Sequence, residues 1–126
     1  MNVLVDTSIW VDHFRHSNGE LVSLITQDRA LIHPMVLAEI ACGTPPAPRN
    51  RTLSDMALLR PAHAASMSEL MTFIEQKMLY GLGCGVVDLT LLASVCITPD
   101  AKLWTLDKRL ADLARRMGVD YHALMH

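Results

Sequence analysis

Short apolar segments that suit buried strands alternate along this chain with segments of helical periodicity. Asn2–Val5 is apolar and β-branched, Ala30–His33 and Lys102–Thr105 read as further strands, and Val119–His122 is a last, short candidate. Strands that alternate with helices predict a mostly parallel sheet with helices on both faces. We therefore expect a three-layer α/β/α fold, and the length predicts one domain over residues 1–126.

The helical segments fall between these strands. Pro34 suits the first turn of a helix because its missing N–H would have no partner there. One helix carries an apolar stripe rich in methionine, which we expect in the core; its members are Ala64, Met67, Met71, Ile74 and Met78. The predicted helices cover about Ile9–Arg15, Leu21–Asp28, Pro34–Cys42, Arg51–Leu59, Ala64–Met78, Val86–Ile97 and Lys108–Met117.

Four acidic residues stand beside or within apolar segments. Asp6 and Asp107 follow predicted strands, whereas Glu39 and Asp88 lie in apolar helices. Ligands of open α/β sheets bind outside the carboxyl ends of the strands, so we expect these acids to meet at that edge. Clustered carboxylates repel one another, and a divalent cation removes the repulsion. An oxygen-rich site of this kind suits Mg²⁺, with Mn²⁺ as a substitute.

Each acid also has a simpler structural role. Asp6 and Asp107 are good helix N-caps, and Asp88 lies in a first turn, where an anion complements the helix dipole. Glu39 is harder to explain in this way because its helix is apolar nearly all round and offers no obvious solvent face. The pattern of all four acids is therefore more informative than any one of them.

Hydroxyl and basic side chains lie next to these acids in the sequence. Thr7, Ser8 and Thr105 are placed to orient metal-bound waters, although helix capping is the simpler role for Thr7 and Ser8. Lys108 and Arg109 follow the fourth acid and are candidate contacts to an RNA backbone, with a solvated helix face as the alternative.

Composition limits where and how the chain works. A net charge of −2 argues against binding nucleic acid through a broad basic face, but a bound metal ion would supply local positive charge. Three isolated cysteines indicate a reducing cytoplasm. Met78–Pro99 is the only membrane candidate, and Asp88 interrupts it, so we expect a loop followed by a buried helix and no membrane association.

Four motifs together carry a family resemblance. VDTSIWVDHF, VLAEI, GVVDLTLLAS and LWTLDKRL match, in order, the acidic motifs of PIN-domain ribonucleases, and the chain most closely resembles the VapC toxins of toxin–antitoxin pairs. The resemblance implies that Asp6, Glu39, Asp88 and Asp107 are the catalytic acids, with Asp6, Asp88 and Asp107 binding Mg²⁺ or Mn²⁺. The implied reaction is hydrolysis of RNA phosphodiester bonds.

The resemblance also implies two protein partners. VapC toxins form homodimers and hold an antitoxin segment in a groove of their early helices, for which Trp10 and Phe14 are candidate contacts. One departure is Leu106, where many relatives have a basic residue that would contact the substrate phosphate.

Two other functions compete with the nuclease. A phosphoacceptor receiver domain is also a single α/β domain with clustered acids, but it needs an acidic pair after its first strand, and Asp6 has no acidic neighbour. A PIN-like module that only binds a partner would have no need of all four acids, yet activity is not visible in a sequence.

Overall fold

The computed structural model of the protein describes residues 1–123, so the predicted domain range of 1–126 extends past the described part. The strands are β1 (Asn2–Val5), β2 (Ala30–Ile32), β3 (Arg60–Pro61) and β4 (Ala101–Trp104). The helices in the same residues are α1 (Thr7–His16), α2 (Gly19–Thr26), α3 (Pro34–Cys42), α4 (Arg49–Ala57), α5 (Met67–Lys77), α6 (Val86–Ile97) and α7 (Lys108–Arg116).

The four strands form one parallel sheet in the order β3-β2-β1-β4. Val3, Leu4 and Val5 in β1 are all 0% exposed. Because successive strand residues point to opposite faces, helices must cover both faces of the sheet at this strand. The predicted three-layer α/β/α fold with a parallel sheet is therefore confirmed.

Helix α6 runs through the core. Its residues from Leu89 to Val95 are all buried, as expected for a helix that is apolar on every side. Asp88 lies one residue before this buried stretch, in the first turn, so the helix places it at the boundary between core and solvent. Among residues 1–123, no helix combines the length and the hydropathy needed to cross a bilayer.

The predicted last strand at Val119–His122 is reduced to a single parallel bridge. Leu103 in β4 pairs with Asp120, and its N–H donates to the Val119 carbonyl at 2.7 Å. Side chains also hold the segment, since the Tyr121 hydroxyl donates to the buried Glu20 carboxylate. Burial, together with that contact, raises the pKa of Tyr121 to about 12.

The expectation that the methionine stripe lies in the core is wrong. Met67, Met71 and Met78 are 67%, 55% and 66% exposed. Helix α5 packs on α6 and buries Leu70 instead, with Phe73 half-buried beside it.

Helix α5 is also shorter than predicted and extends only over Met67–Lys77. It begins there because Ser66 and Glu69 form a capping box, in which the Ser66 side chain accepts from the Glu69 N–H and the Glu69 side chain accepts from the Ser66 N–H. Ala64, the first member of the predicted stripe, therefore lies in the loop before the helix.

Candidate active site

Two of the four acids follow neighbouring strands. Asp6 comes directly after β1, and its N–H donates to the Trp104 carbonyl at the end of β4 at 2.9 Å. Asp107 lies three residues after Trp104 and caps α7, where its Oδ1 accepts from the Leu110 N–H at 2.9 Å. The predicted N-cap role of Asp107 is therefore present, and both acids lie at the carboxyl edge of the sheet.

The other two acids approach this edge from helices α6 and α3. The pKa of Asp88 is raised from 3.8 to about 6, first by burial and then by the charges of Asp6, Asp107 and Glu39. All three other acids are thus close enough to Asp88 to disfavour its ionised form. The structure therefore brings the three other sequence-predicted acids within electrostatic range of Asp88.

The acids differ in their exposure to solvent. Asp6 is only 6% exposed and Asp88 is half-buried, but Glu39 and Asp107 are exposed. The expectation that Glu39 lacks a solvent face is wrong, because α3 buries Val36 and Ile40 on one side and leaves Glu39 on the other. Small and half-buried apolar residues make up much of that outer face, so the sequence does not show that it is exposed to solvent.

Hydroxyl groups hold the most buried acid. Asp6 Oδ2 accepts hydrogen bonds from Ser8 Oγ at 2.8 Å and from Thr105 Oγ1 at 2.7 Å. Each hydroxyl oxygen in turn accepts a backbone N–H, Ser8 from Leu106 and Thr105 from Asp107, both at 3.0 Å. Ser8 and Thr105 therefore fix the Asp6 carboxylate relative to the turn that leads into Asp107.

The expected capping role of Thr7 and Ser8 is wrong. Helix α1 begins after Asp6 without any side-chain cap hydrogen bond. Thr7 Oγ1 instead donates to Glu39 Oε1 at 2.6 Å, which connects the start of α1 to helix α3. Both hydroxyls are used to hold carboxylates of the site.

The four carboxylates have no cationic partner among the described residues. Within residues 1–123, none of the salt bridges involves Asp6, Glu39, Asp88 or Asp107. The donor set is all oxygen, which fits a hard cation such as Mg²⁺ that keeps several waters and needs few direct protein ligands. Over the same residues, no three His, Cys, Asp or Glu side chains are close enough to form a complete group of metal ligands.

Comparison with known proteins identifies the family. Residues 3–116 match the family described as PIN domain. The chain belongs to the PIN-domain family. It is 38% identical over 117 residues to Ribonuclease VapC32 of Mycobacterium tuberculosis, from strains CDC 1551 / Oshkosh and ATCC 25618 / H37Rv. The match covers 93% of this chain and 94% of that protein.

A solved structure shares the fold of this PIN domain. The 2.2 Å resolution structure of VapBC-1 from nontypeable Haemophilus influenzae matches with a TM-score of 0.68, at 12% identity, over 97% of each chain. Membership of the PIN-domain family rules out the receiver-domain alternative. The strand order β3-β2-β1-β4 agrees with this conclusion, because flavodoxin-like receiver folds have the order 2-1-3-4-5.

Arg109, a candidate RNA contact, forms a hydrogen bond within the PIN domain. Arg109 Nη1 donates to the Gly83 carbonyl at 3.2 Å, so the side chain connects α7 to the loop that precedes α6. A Cβ on Gly83 would lie 2.6 Å from Arg109 Nη1, and Gly83 has a φ of +83°. Lys108 is exposed. Sequence reasoning did not find the Gly83 contact because the two residues are far apart in the chain.

A groove opens beside Glu39, between α1, α3 and the loop that follows α3. Its volume is about 520 Å³. Phe14 and Val11 line its apolar side, while Thr7 and Glu39 lie at its acidic end. Of the two candidate antitoxin contacts, Phe14 lines this groove, whereas Trp10 is a core residue that is 4% exposed and does not line it.

Proposed function

We propose that this PIN domain, as a single nuclease domain over residues 1–126, is a divalent-metal-dependent endoribonuclease and the toxin of a toxin–antitoxin pair. The observation that carries the proposal is the meeting of four carboxylates that no cation within residues 1–123 neutralises. Identity of 38% with a ribonuclease along nearly the whole chain supports RNA as the substrate.

The acids have distinct assignments in this proposal. Asp6, Asp88 and Asp107 would hold Mg²⁺ or Mn²⁺, and Glu39 completes the catalytic set. The ion, when bound, supplies a more acidic water and positive charge for the phosphate oxygens. Asp6 Oδ2 is occupied by the Ser8 and Thr105 hydroxyls, which leaves Oδ1 for a ligand. Lys108 and Arg109, next to Asp107, are proposed to contact the RNA backbone.

A second candidate function keeps one observation in its favour. The acids of residues 1–123 do not form a complete group of metal ligands. This is compatible with a PIN-like module that only binds a partner. Burial is the main cause of the raised pKa of Asp88 and fits both functions, but the nuclease accounts better for the charges of Asp6, Asp107 and Glu39 that raise the pKa further, because a protein without metal chemistry gains nothing from them. Metal binding by the purified protein separates the two functions.

Partner assignments follow from the exposed surfaces. The groove beside Glu39 is the proposed site for an antitoxin segment, since it combines an apolar wall with Glu39, which suits a basic side chain, and with Arg15, which suits an acidic one. The exposed methionines Met67 and Met71 on α5 offer an adaptable apolar face for a homodimer. We place the protein in the cytoplasm, in agreement with its free thiols at Cys42, Cys84 and Cys96.

Expression in a bacterial host tests the toxin assignment. We expect wild-type protein to arrest growth, and co-expression of its proposed antitoxin to relieve the arrest. Asp6→Asn is the matched control, which should permit normal growth at the same protein level. Growth arrest by Asp6→Asn as strong as that by wild type would contradict a nuclease origin of the toxicity.

Ser8→Ala tests how the Asp6 carboxylate is held. The substitution removes one hydroxyl donor to Asp6 and the acceptor of the Leu106 N–H. We expect kcat for RNA cleavage to fall about 10-fold, as is usual for groups that orient metal ligands. The control is Thr26→Ala, which removes an exposed hydroxyl of α2 that donates only to the Val22 carbonyl. Full activity in Ser8→Ala would show that the Ser8 hydroxyl is not needed to hold Asp6 for catalysis.

A further inference from the structure

His33 is a buried side chain that the proposed function leaves without a role. It is 2% exposed, follows β2 and caps α3. Its Nδ1 accepts a hydrogen bond from the Met35 N–H at 3.0 Å, and its Nε2 lies 2.9 Å from the Ser94 hydroxyl oxygen in α6. Both ring nitrogens are therefore used, one toward each of two helices.

The partners of Ser94 determine where the His33 ring carries its proton. Ser94 Oγ lies 2.7 Å from the Thr90 carbonyl, which only accepts, so the hydroxyl donates its one proton there. The Ala65 N–H donates to the same Ser94 oxygen at 2.9 Å. His33 Nε2 must then be a donor to Ser94, and Nδ1 must be unprotonated to accept from Met35. The hydrogen-bond network thus assigns a neutral ring protonated on Nε2.

Protonation of the second ring nitrogen would break this arrangement. A proton on Nδ1 would face the Met35 N–H and end the cap of α3. Burial lowers the pKa of His33. The titratable groups on the elements that contact the ring are Glu39 and Cys42 on α3, Asp88 and Cys96 on α6, and His63 before α5, and none of them contributes to this shift. The environment therefore favours the neutral ring.

The His33–Ser94 hydrogen bond connects the helices that carry Glu39 and Asp88. Glu39 lies six residues after His33, and Ser94 lies six residues after Asp88. The hydrogen bond is thus about 9 Å along each helix from its acid. Helix α3 packs mainly on α1 and α4, whereas α6 packs on α5, α7 and β4. The bond therefore links two helices whose main neighbours are different elements.

We infer that His33 is a positioning residue for RNA cleavage, which through Ser94 sets the separation of Glu39 and Asp88. The inference rests on the proposed nuclease function, since it needs both acids to act together. A misplacement of about 1 Å caused far from the chemistry is enough to cost ~100-fold in rate. Loss of the hydrogen bond between α3 and α6 permits a displacement of that kind.

Ser94→Ala and Thr98→Ala form a matched pair of variants. Thr98 lies one turn after Ser94, donates to the Ser94 carbonyl at 2.7 Å and accepts the His63 N–H at 3.0 Å, without touching His33. We expect Ser94→Ala to lower kcat about 10- to 100-fold with an unchanged KM for RNA, and to weaken Mn²⁺ binding in calorimetry. Thr98→Ala should lose similar stability but keep the wild-type kcat and the wild-type affinity for Mn²⁺.

His33→Asn provides a second, independent variant. Asparagine still caps α3 by accepting from the Met35 N–H, but it is too short to reach Ser94. We expect the same fall in kcat as in Ser94→Ala, and no further fall in the double variant, because both changes remove the His33–Ser94 hydrogen bond. Unchanged kcat in the two single variants, or an equal loss in Thr98→Ala, would overturn the positioning role.

Nitrogen-15 NMR of the histidine rings tests the inference without RNA or metal. We expect His33 to show the neutral Nε2–H form and to titrate below the ordinary histidine range, because burial lowers its pKa. A proton on Nδ1, or titration near the ordinary pKa of about 6.5, would overturn it. If wild type cleaves no RNA with Mn²⁺ but Ser94→Ala still weakens Mn²⁺ binding relative to Thr98→Ala, the proposed nuclease function fails, while the part of the inference in which the His33–Ser94 hydrogen bond positions Asp88 for metal binding stands.

Discussion

Asp88→Asn should reduce RNA cleavage by at least ~100-fold while leaving the protein folded. Loss of groups that only orient metal ligands already costs about 10- to 100-fold, and Asp88 is proposed to bind the ion itself. Initial rates on a labelled RNA, with Mn²⁺ in excess, measure the effect. Asp55→Asn is the matched control, since Asp55 is an exposed acid of α4 outside the site. Cleavage by Asp88→Asn at the wild-type rate would contradict the role of Asp88 as a metal ligand.

The same variant should be more stable than wild type when metal is absent. Burial, followed by the charges of Asp6, Asp107 and Glu39, raises the pKa of Asp88 from 3.8 to about 6. Folding therefore favours the protonated form, and ionisation destabilises the fold as the pH rises from about 4 to about 6. Asn stays neutral, so we expect a gain of about 1–2 kcal/mol at pH 7.5, after solvent screening, and none near pH 3.5.

Urea unfolding in EDTA at the two pH values measures this difference. A gain in stability of equal size at both pH values would show that packing, and not charge, distinguishes the variant. A loss at pH 7.5 would contradict the crowding of carboxylates around Asp88.

Removal of divalent ions should abolish cleavage, and Mn²⁺ should restore it. Four carboxylates with no cationic partner within residues 1–123 need a positive charge before they can approach an anionic RNA backbone. Cleavage assays in EDTA, followed by Mn²⁺ in excess, test this. Cleavage that continues in EDTA would exclude the metal from the reaction.

Metal binding should also appear in the stability of the protein without RNA. A ligand at 100 times its dissociation constant stabilises the native state by about 2.7 kcal/mol. We expect Mn²⁺ to raise the Tm of wild type, to raise that of Asp55→Asn equally, and to leave Asp88→Asn nearly unchanged. No increase in the wild-type Tm would favour the partner-binding module over the nuclease.

Most of the framework was predictable because apolar periodicity follows burial directly. The helix at Val86–Ile97 has the predicted bounds, since it is buried on every side and a glycine precedes it. The strand at Asn2–Val5 also has its predicted bounds, because both of its faces are covered. Strand β3, only Arg60–Pro61, was missed because two exposed residues carry no periodic signal.

The acids were predictable as a set, but their surroundings were not. The hydrogen bonds from Thr7 to Glu39 and from Thr105 to Asp6 join residues 32 and 99 positions apart, which no local pattern reveals. Local propensity favoured Thr7 as a helix cap, but its hydroxyl donates to Glu39 instead. The exposure of Met67 likewise depends on which face of α5 meets α6, and an apolar stripe alone does not contain that information.

Apart from the Arg109 hydrogen bond to the Gly83 carbonyl, the links between the acid-bearing elements are hydroxyl, imidazole and backbone hydrogen bonds, and within residues 1–123 none of them is a salt bridge. Ionic strength weakens pairs of exposed charges far more than such neutral donors. Added salt should therefore leave the protein framework in place while it competes with Lys and Arg for the RNA phosphates. The slope of log affinity against log salt then counts those phosphate contacts directly.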